Sequence, residues 1–569
     1  MTRPAVALVG AEFEENLSLR YLSSAVAREG FDSLLLPFNE EGDAAAICEA
    51  VRRHAPLLVG ISVPFQTRAA ELLGLAGRLR EKGYEGHVCA GGHFATFEYE
   101  NLLRDFPAVD SVVRHEGEAT LREMCVRLSR REEVAGLAGV VTRGSGETGV
   151  GPKRPLPPLD ELPFPDRRGE PHRVMGVRCS PILGSRGCYA DCSFCCIYAY
   201  AENADGARYR RRSPENIARE MAQEYHDRGV RLFVFHDDNF FIPSAPKNLA
   251  RYRRLHELLN AAGVREIALV IKCRPNDVDR ELFRHLKEMG MIRAYVGIET
   301  NSEEGVVSLN RRISPEDNRR ALELFRSLDV YASFNVLIFD PEATLEGVRK
   351  NLDFMEEFAE IPFNFCRAEV YAGTPLKAIL ESEGRLQGDY LAWSYEMRDP
   401  RVELLFRIAT TAFMARNFKP YGVANLNLGI RFDNEVVRRF YPECWDLPWH
   451  ASLVDLSRRI GEDSVRRMRE ALGFVLSSDV YDHDTAKRFT LELARKVNRS
   501  DLAFVAEIKQ ARRELERRIL RARGAEALTD YSDERPPWAA ESARLQGSTG
   551  LEVSTELLPE PRLVQGAIR

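Results

Sequence analysis

The chain has 569 residues, of which 44% are hydrophobic and 29% charged, and a formal net charge of −6. That length suits about three domains of ordinary globular composition, and no apolar run of about eighteen residues is present to span a membrane. Net acidity argues against nucleic acid as the main partner, and the Arg-rich stretch from Ala511 to Arg518 alternates with acids as a solvated helix face does.

The N-terminus, Met1 to Val9, lacks a signal-peptide core and runs directly into a strand pattern. A cytoplasmic location with reduced cysteines is the expectation. From Ala5 to about Leu128, strand patterns at Ala5–Val9, Ser33–Leu36, Leu57–Ser62, Val88–Ala90 and Ser111–Arg114 alternate with helix-period segments. Such alternation predicts an α/β domain with a doubly wound parallel sheet, flavodoxin-like in class. Ligands of such sheets bind beyond the carboxyl ends of the strands. Those ends read Gly10-Ala11-Glu12, Pro64-Phe65-Gln66, Gly91-Gly92-His93 and His115-Glu116-Gly117-Glu118. A response-regulator-like module, a nucleotide binder and a cobalamin binder all fit at this point.

After a Pro-rich linker (152–171), strand patterns recur at Ser180–Leu183, Leu232–His236, Ala268–Lys272, Arg293–Ile298, Ala332–Phe339 and Phe365–Tyr371, each followed by a helical segment. Six βα units predict a partial, open barrel whose chemistry lies at the C-terminal strand ends. The loop after the first strand carries Cys188, Cys192 and Cys195, spaced Cys-x3-Cys-x2-Cys. Three thiolates are one fewer than a closed structural metal site uses, so one metal position stays open. A chance cluster among 11 cysteines, or a zinc knuckle with a distant fourth ligand, are the plain alternatives. Cys196 is a poor fourth ligand because adjacent residues in a turn rarely reach one metal.

With Phe194 just before the third thiol, this loop resembles the signature of the radical S-adenosylmethionine (SAM) superfamily, in which the open iron of a [4Fe-4S] cluster chelates SAM. Asp237-Asp238-Asn239 occupies the place of that family's Gly-Gly-Glu motif, which meets the SAM amino group; the Asp pair reads equally as a helix cap. Gly297-Ile298-Glu299-Thr300 resembles the fourth-strand motif whose Glu contacts SAM. Arg274 suits a carboxylate, which guanidinium binds bidentately, and the Tyr371–Leu376 turn matches the close of the sixth strand. Leu337–Glu342 departs from the usual Gly-Leu-Pro-Gly-Glu, so no adenine contact is assigned there.

The N-terminal wording, Asn16–Leu22, Val59–Ser62, Gly91–Thr96 and Val113–Glu118, resembles the cobalamin-binding domain that precedes many radical SAM domains. The resemblance implies cobalamin contacts from Glu12, Phe65, Gln66, Gly91, Gly92, His93 and Glu116, the Gly pair admitting close approach of the nucleotide tail. Cobalamin mutases carry Asp-x-His-x-x-Gly after the first strand. Here the loop reads Glu12-Phe13-Glu14-Glu15-Asn16 and the first histidine of the chain is His54. No histidine lower ligand is therefore expected; Val63–Gln66 would face the lower side of the cobalt, easing methyl-radical transfer.

The chain is thus similar to the cobalamin-dependent (class B) radical SAM enzymes. The resemblance implies a methyltransferase: one-electron cleavage of SAM to a 5′-deoxyadenosyl radical, hydrogen abstraction from an unactivated carbon, and methyl delivery from cobalamin. It also implies a small-molecule or natural-product substrate and an external donor such as flavodoxin or ferredoxin. A rearrangement, cyclisation or ring contraction without methyl transfer is the alternative. A methylthiotransferase acting on tRNA fits poorly, because Cys48, Cys89 and Cys125 are scattered and no basic appendage appears; a non-enzymatic sensor is the remaining rival. The expected domains are 1–150 (cobalamin-binding), 151–175 (linker), 176–398 (barrel), 399–524 (helical) and 525–569 (disordered tail). Within the helical region, Arg416, Tyr421, Tyr441, Trp445, Trp449 and His450 are candidates for capping the barrel and shaping a pocket, or else ordinary core and surface.

Overall fold

The computed structural model describes residues 5–143, 149–524 and Leu528; the expected tail, Leu528 aside, lies outside the described residues. The first sheet holds β1 (Ala5–Gly10), β2 (Asp32–Pro37), β3 (Leu58–Ser62), β4 (His87–Gly91), β5 (Ser111–Val113) and β6 (Val140–Thr142) in the order β2-β1-β3-β4-β5-β6. All pair in parallel except β6, which runs antiparallel to β5. Val6 to Val9 are all buried because helices cover both faces. Asn16 starts the first helix, Leu17–Ala27, by accepting from the Ser18 and Leu19 amides.

The second sheet comprises β7 (His172–Val174), β8 (Val177–Ile182), β11 (Leu232–Phe235), β12 (Ala268–Cys273), β13 (Met291–Glu299), β14 (Tyr331–Phe339) and β15 (Phe363–Arg367). A separate ribbon pairs β9 (Ser185–Gly187) with β10 (Tyr209–Arg211). The order β15-β14-β13-β12-β11-β8-β7 makes six parallel strands edged by antiparallel β7, and β15 does not pair with β8, so the barrel is open. Its helices start where the sequence supplies a hydroxyl cap followed by proline: Ser213-Pro214, Ser314-Pro315 and Thr374-Pro375.

Register places Val234, Lys272, Tyr295, Asn335 and Cys366 on one face of this sheet. The opposite face packs on helix residues such as Phe283, Leu322 and Leu352, so these five face inward. Each is partly accessible in a strand otherwise almost wholly buried. The barrel interior is open at that level.

Lower down, the interior is filled. Cys179, Leu232, Ala268, Val270 and Tyr331, near the strand starts, pack with Phe432, Val436, Ile460 and Phe504 of the C-terminal helices. Tyr331 donates to the Leu428 carbonyl (2.9 Å) and Arg439 to that of Ile267 (3.0 Å). The C-terminal helices therefore plug the N-terminal end of the barrel, away from the cysteine loop.

Of the two readings open for Arg416, Tyr441, Trp445, Trp449 and His450, ordinary core and surface fits these contacts better than a substrate pocket. Arg416 is buried between Asp463 and Asp501 (2.7 Å each) and donates to Ser464 (2.8 Å). Tyr441 donates to the Met175 carbonyl beside the start of β8, and Trp445 and Trp449 lie under Arg438 and Arg518. Burial holds His450 near pKa 4. Tyr421 is half exposed.

The Pro-rich segment is a strap held along its length. Leu159 is buried, Asp166 accepts from Ser23 (2.6 Å), and Arg168 donates to the Ser33 carbonyl (2.7 Å). Arg167 ties Glu15 of the first domain to Glu220 of the second. Among the described residues no helix is long and apolar enough to cross a membrane.

Candidate active site between the two sheets

The two sheets meet with their C-terminal strand ends facing each other. Glu14, after β1, comes within 3.8 Å of His236, after β11. Gln66, after β3, donates to the Val370 carbonyl beyond β15 (2.8 Å), and the Phe65 and Tyr371 rings stand 5.7 Å apart. His93, after β4, lies 4.2 Å from the Tyr200 ring, on the helix that follows the cysteine loop. Both ligand-binding edges that the topology creates thus open into one interface.

The cysteine loop hangs at this interface. Asp237 braces its entry, accepting from the Gly184 amide (2.8 Å) and the Ser185 hydroxyl (2.5 Å). Asp238 accepts from the Gly187 amide (3.1 Å) and otherwise faces accessible space. Burial pushes the Asp237 carboxyl up to about 6. Cys192 is buried, while Cys188 and Cys195 are partly accessible; burial raises the Cys188 thiol to about 11. Cys195 caps the helix Cys196–Asn203, so Cys196 already belongs to that helix. Among the described residues no three His, Cys, Asp or Glu side chains converge as ligands of one ion would. Thiolates that each take a separate iron of a cluster need not converge.

Glu299 ends β13 at φ 63°, a conformation that costs an ordinary residue of order 1–3 kcal/mol. Burial raises its carboxyl, opposed by the Arg311 and Arg274 charges nearby. Asn239 donates to Asp277 (3.2 Å) and leaves its own buried carbonyl oxygen without a partner.

Two of the expected cofactor contacts also act as braces. Glu12 is paired with Arg20 (2.6 Å) and accepts from the Asn16 amide (3.2 Å). Glu116 is shared between Arg186 (2.8 Å) and Arg210. Arg186 also pairs with Glu118 (2.6 Å) and stacks on Tyr21 (5.0 Å). This clamp joins the first domain to the strand immediately before Cys188.

Residues 182–355 match the Radical SAM superfamily and residues 4–124 the B12 binding domain family. An uncharacterised methyltransferase of Pyrococcus horikoshii is 27% identical over 366 residues, 63% of this chain and 77% of that protein. Hopanoid C-3 methylase of Methylococcus capsulatus is 29% identical over 372 residues, 63% of this chain and 67% of that protein. The chain belongs to the cobalamin-dependent radical SAM enzymes. Its cofactors are a [4Fe-4S] cluster, SAM and cobalamin. Two solved structures of this class share the fold. OxsB superposes with a TM-score of 0.64 at 17% identity, covering 96% of this chain and 84% of that one. TsrM from Kitasatospora setae gives 0.56 at 20%, covering 68% and 78%.

The interface fits these groups. Buried polar atoms without partners stand on both sides: Gln66 Oε1 on the cobalamin side and Asn239 Oδ1 on the cluster side. Buried polar atoms are normally paired, so these two, at opposed strand ends, are available to a ligand. Gly92 sits at φ 110°, where a Cβ would come within 2.7 Å of the Val63 carbonyl. The close packing of the chain's own Val63–Gln66 loop thus requires glycine here. No histidine stands on the loop after β1.

Sequence reading had passed over several residues. His115 (φ 61°) and Tyr200 join His93 in one cluster, 5.2 Å separating the His115 and Tyr200 rings. Arg186 and Arg311 carried no signal in a chain with 80 Lys and Arg. The inward ring of Lys272, Tyr295, Asn335 and Cys366 was legible only through strand parity. Phe194 and Tyr371 are half-buried at the loop and at the interface.

Proposed function

We propose that this protein is a C-methyltransferase that places a methyl group on an unactivated carbon of a small-molecule substrate held between the two sheets. The observation that carries the reading is the opposition of the two strand-end edges. It sets a cobalamin domain facing a radical SAM barrel, as transfer from one cofactor site to the other requires.

When bound, the cluster and SAM supply the one-electron chemistry that activates a C–H bond, and cobalamin supplies the methyl group. The chain's part is placement and exclusion. Cys188, Cys192 and Cys195 hold the cluster. Asp238, whose neighbour Asp237 is committed to the loop, is left to accept the SAM ammonium, and Glu299, at the end of β13, is the second acidic group offered to SAM. Phe65, Gln66 and Tyr371 wall the passage between the cofactors. Lys272, Tyr295, Asn335 and Cys366 line the inner face at substrate depth, and the apolar plug under them keeps water from entering below. The anaerobic magnesium-protoporphyrin IX monomethyl ester cyclase of Synechocystis, 25% identical over 300 residues, keeps a non-methylating radical reaction as the second reading. We place the enzyme in the cytoplasm with a flavodoxin or ferredoxin as electron donor.

The test uses reconstituted protein, reductant and SAM carrying a labelled methyl group, incubated anaerobically with candidate substrates. Methyl transfer yields both 5′-deoxyadenosine and S-adenosylhomocysteine, with the label on a product carbon. 5′-Deoxyadenosine accompanied by a rearranged, unlabelled product overturns methylation in favour of the second reading.

A further inference from the structure

Cys192 differs from the other two cluster thiols in what surrounds its sulfur. Arg274 Nη1 donates to it at 3.3 Å and Arg311 Nη1 at 3.1 Å. Cys188 receives instead the neutral Ala190 amide at 3.4 Å. The two arginines arrive from different elements, Arg274 just after β12 and Arg311 just after the short helix Glu303–Ser308 that follows β13.

Neither is free to swing away. Arg274 donates from its other amine to the Arg311 carbonyl and lies 5.8 Å over the Tyr189 ring. Arg311 donates from its other amine to the Gly297 carbonyl. Both are more than nine-tenths buried. Among the described residues neither forms an ion pair; Glu299 is an electrostatic neighbour of both and Asp277 of Arg274, each stopping short of contact. Two buried cations with no carboxylate partner need an anion close by, and the group both touch is the Cys192 sulfur.

We propose that Arg274 and Arg311 are positioning residues that hold Cys192 toward the cluster and raise its reduction potential. Net charge and hydrogen bonds at the sulfurs set cluster potentials. Two positive charges on one ligand favour the state carrying the extra electron, and the hydrogen bonds that fix both guanidiniums to backbone carbonyls make the effect permanent. The inference rests on Cys192 being a cluster ligand. Full cluster retention in Cys192→Ala would remove that assignment, whereas the potential of the arginine variants decides this one.

The experiment is an EPR-monitored redox titration of the reconstituted full chain without SAM, comparing Arg311→Gln, Arg274→Gln and Arg311→Lys, with iron and sulfide counted per chain. Each glutamine variant is expected to lower the reduction equilibrium at least tenfold, about 59 mV for one electron. The lysine variant, which keeps the charge, returns most of that shift. Should a glutamine variant shed its cluster, the lysine variant is read in its place. It must keep the cluster with a potential near the parent's, and losing the cluster overturns the proposal. Unchanged potentials at full iron content overturn it too. Weakened SAM binding alongside them would assign the arginines to the SAM carboxylate instead.

Discussion

At the N-terminal end of the barrel, Arg416 lies between two carboxylates and a hydroxyl and is sealed under helices. At the C-terminal end, Arg274 and Arg311 are also deeply buried but lean on a cysteine sulfur, with no ion pair among the described residues. In the first arrangement the chain neutralises its own guanidinium, which serves stability. In the second the neutralising anion is not in contact within the chain, so the same buried residue type reports two different kinds of site. The partly accessible strand residues fall on the same side of the division, above the apolar plug and below the cysteine loop.

The contrast can be tested by damaging each end in turn. The largest effect is expected from Cys192→Ala. Bound iron and 5′-deoxyadenosine formation should both vanish while cobalamin binding, followed by its visible spectrum, persists; persistent SAM cleavage would refute the ligand assignment. Arg416→Ala strands Asp501 in the interior, while Asp463 keeps Arg466 and Arg467. Breaking a buried pair of this kind costs about 3–5 kcal/mol, read as a lower urea midpoint. Iron and cobalamin per folded chain should stay at parent values, and a loss of cofactor would erase the distinction between the two ends.

Gly92→Ala acts on the cobalamin side. A side chain at φ 110° facing the Val63 carbonyl costs about 1–3 kcal/mol of strain unless the Val63–Gln66 loop moves. Cobalamin affinity should fall roughly tenfold for each 1.4 kcal/mol passed to the loop, with iron content unaltered. Equal affinity in both proteins would detach that loop from the cofactor.

The smallest effect concerns pH. Burial holds His115 and His93 near pKa 4, against an ordinary 6.5. The folded chain keeps both neutral while the unfolded chain takes up protons as pH drops below 6.5. Their contribution is complete above that value and is lost toward pH 4, at about 1.4 kcal/mol per unit per histidine. His115→Phe should flatten the stability–pH slope of cobalamin-free protein between about pH 6 and 5, and an unchanged slope would count against a buried neutral His115.

What the sequence disclosed follows from how local each cue is. Helices opened by Ser213-Pro214, Ser314-Pro315 and Thr374-Pro375 were legible because cap and proline are adjacent in the chain. The six parallel barrel strands were legible through apolar runs. The three-residue strands β6, β7, β9 and β10 are too short to show a period. Helical periodicity after Asp399 revealed an apolar face without saying which barrel end it covers, so the residues placed near a pocket turned out to plug the opposite end. In Asn310-Arg311-Arg312, one arginine is buried against Cys192 and its neighbour is largely exposed, a difference decided wholly by tertiary contacts.

The Arg186 clamp carries a consequence for how such enzymes can be recombined. Its cation belongs to the strand before the cluster loop, and its countercharges, Glu116 and Glu118, belong to the cobalamin domain. A barrel grafted onto a foreign cobalamin domain would bury that guanidinium unneutralised two residues from Cys188. The heritable unit is therefore the pair of domains, and a working chimera must import Glu116 and Glu118 together with Arg186 and Arg210.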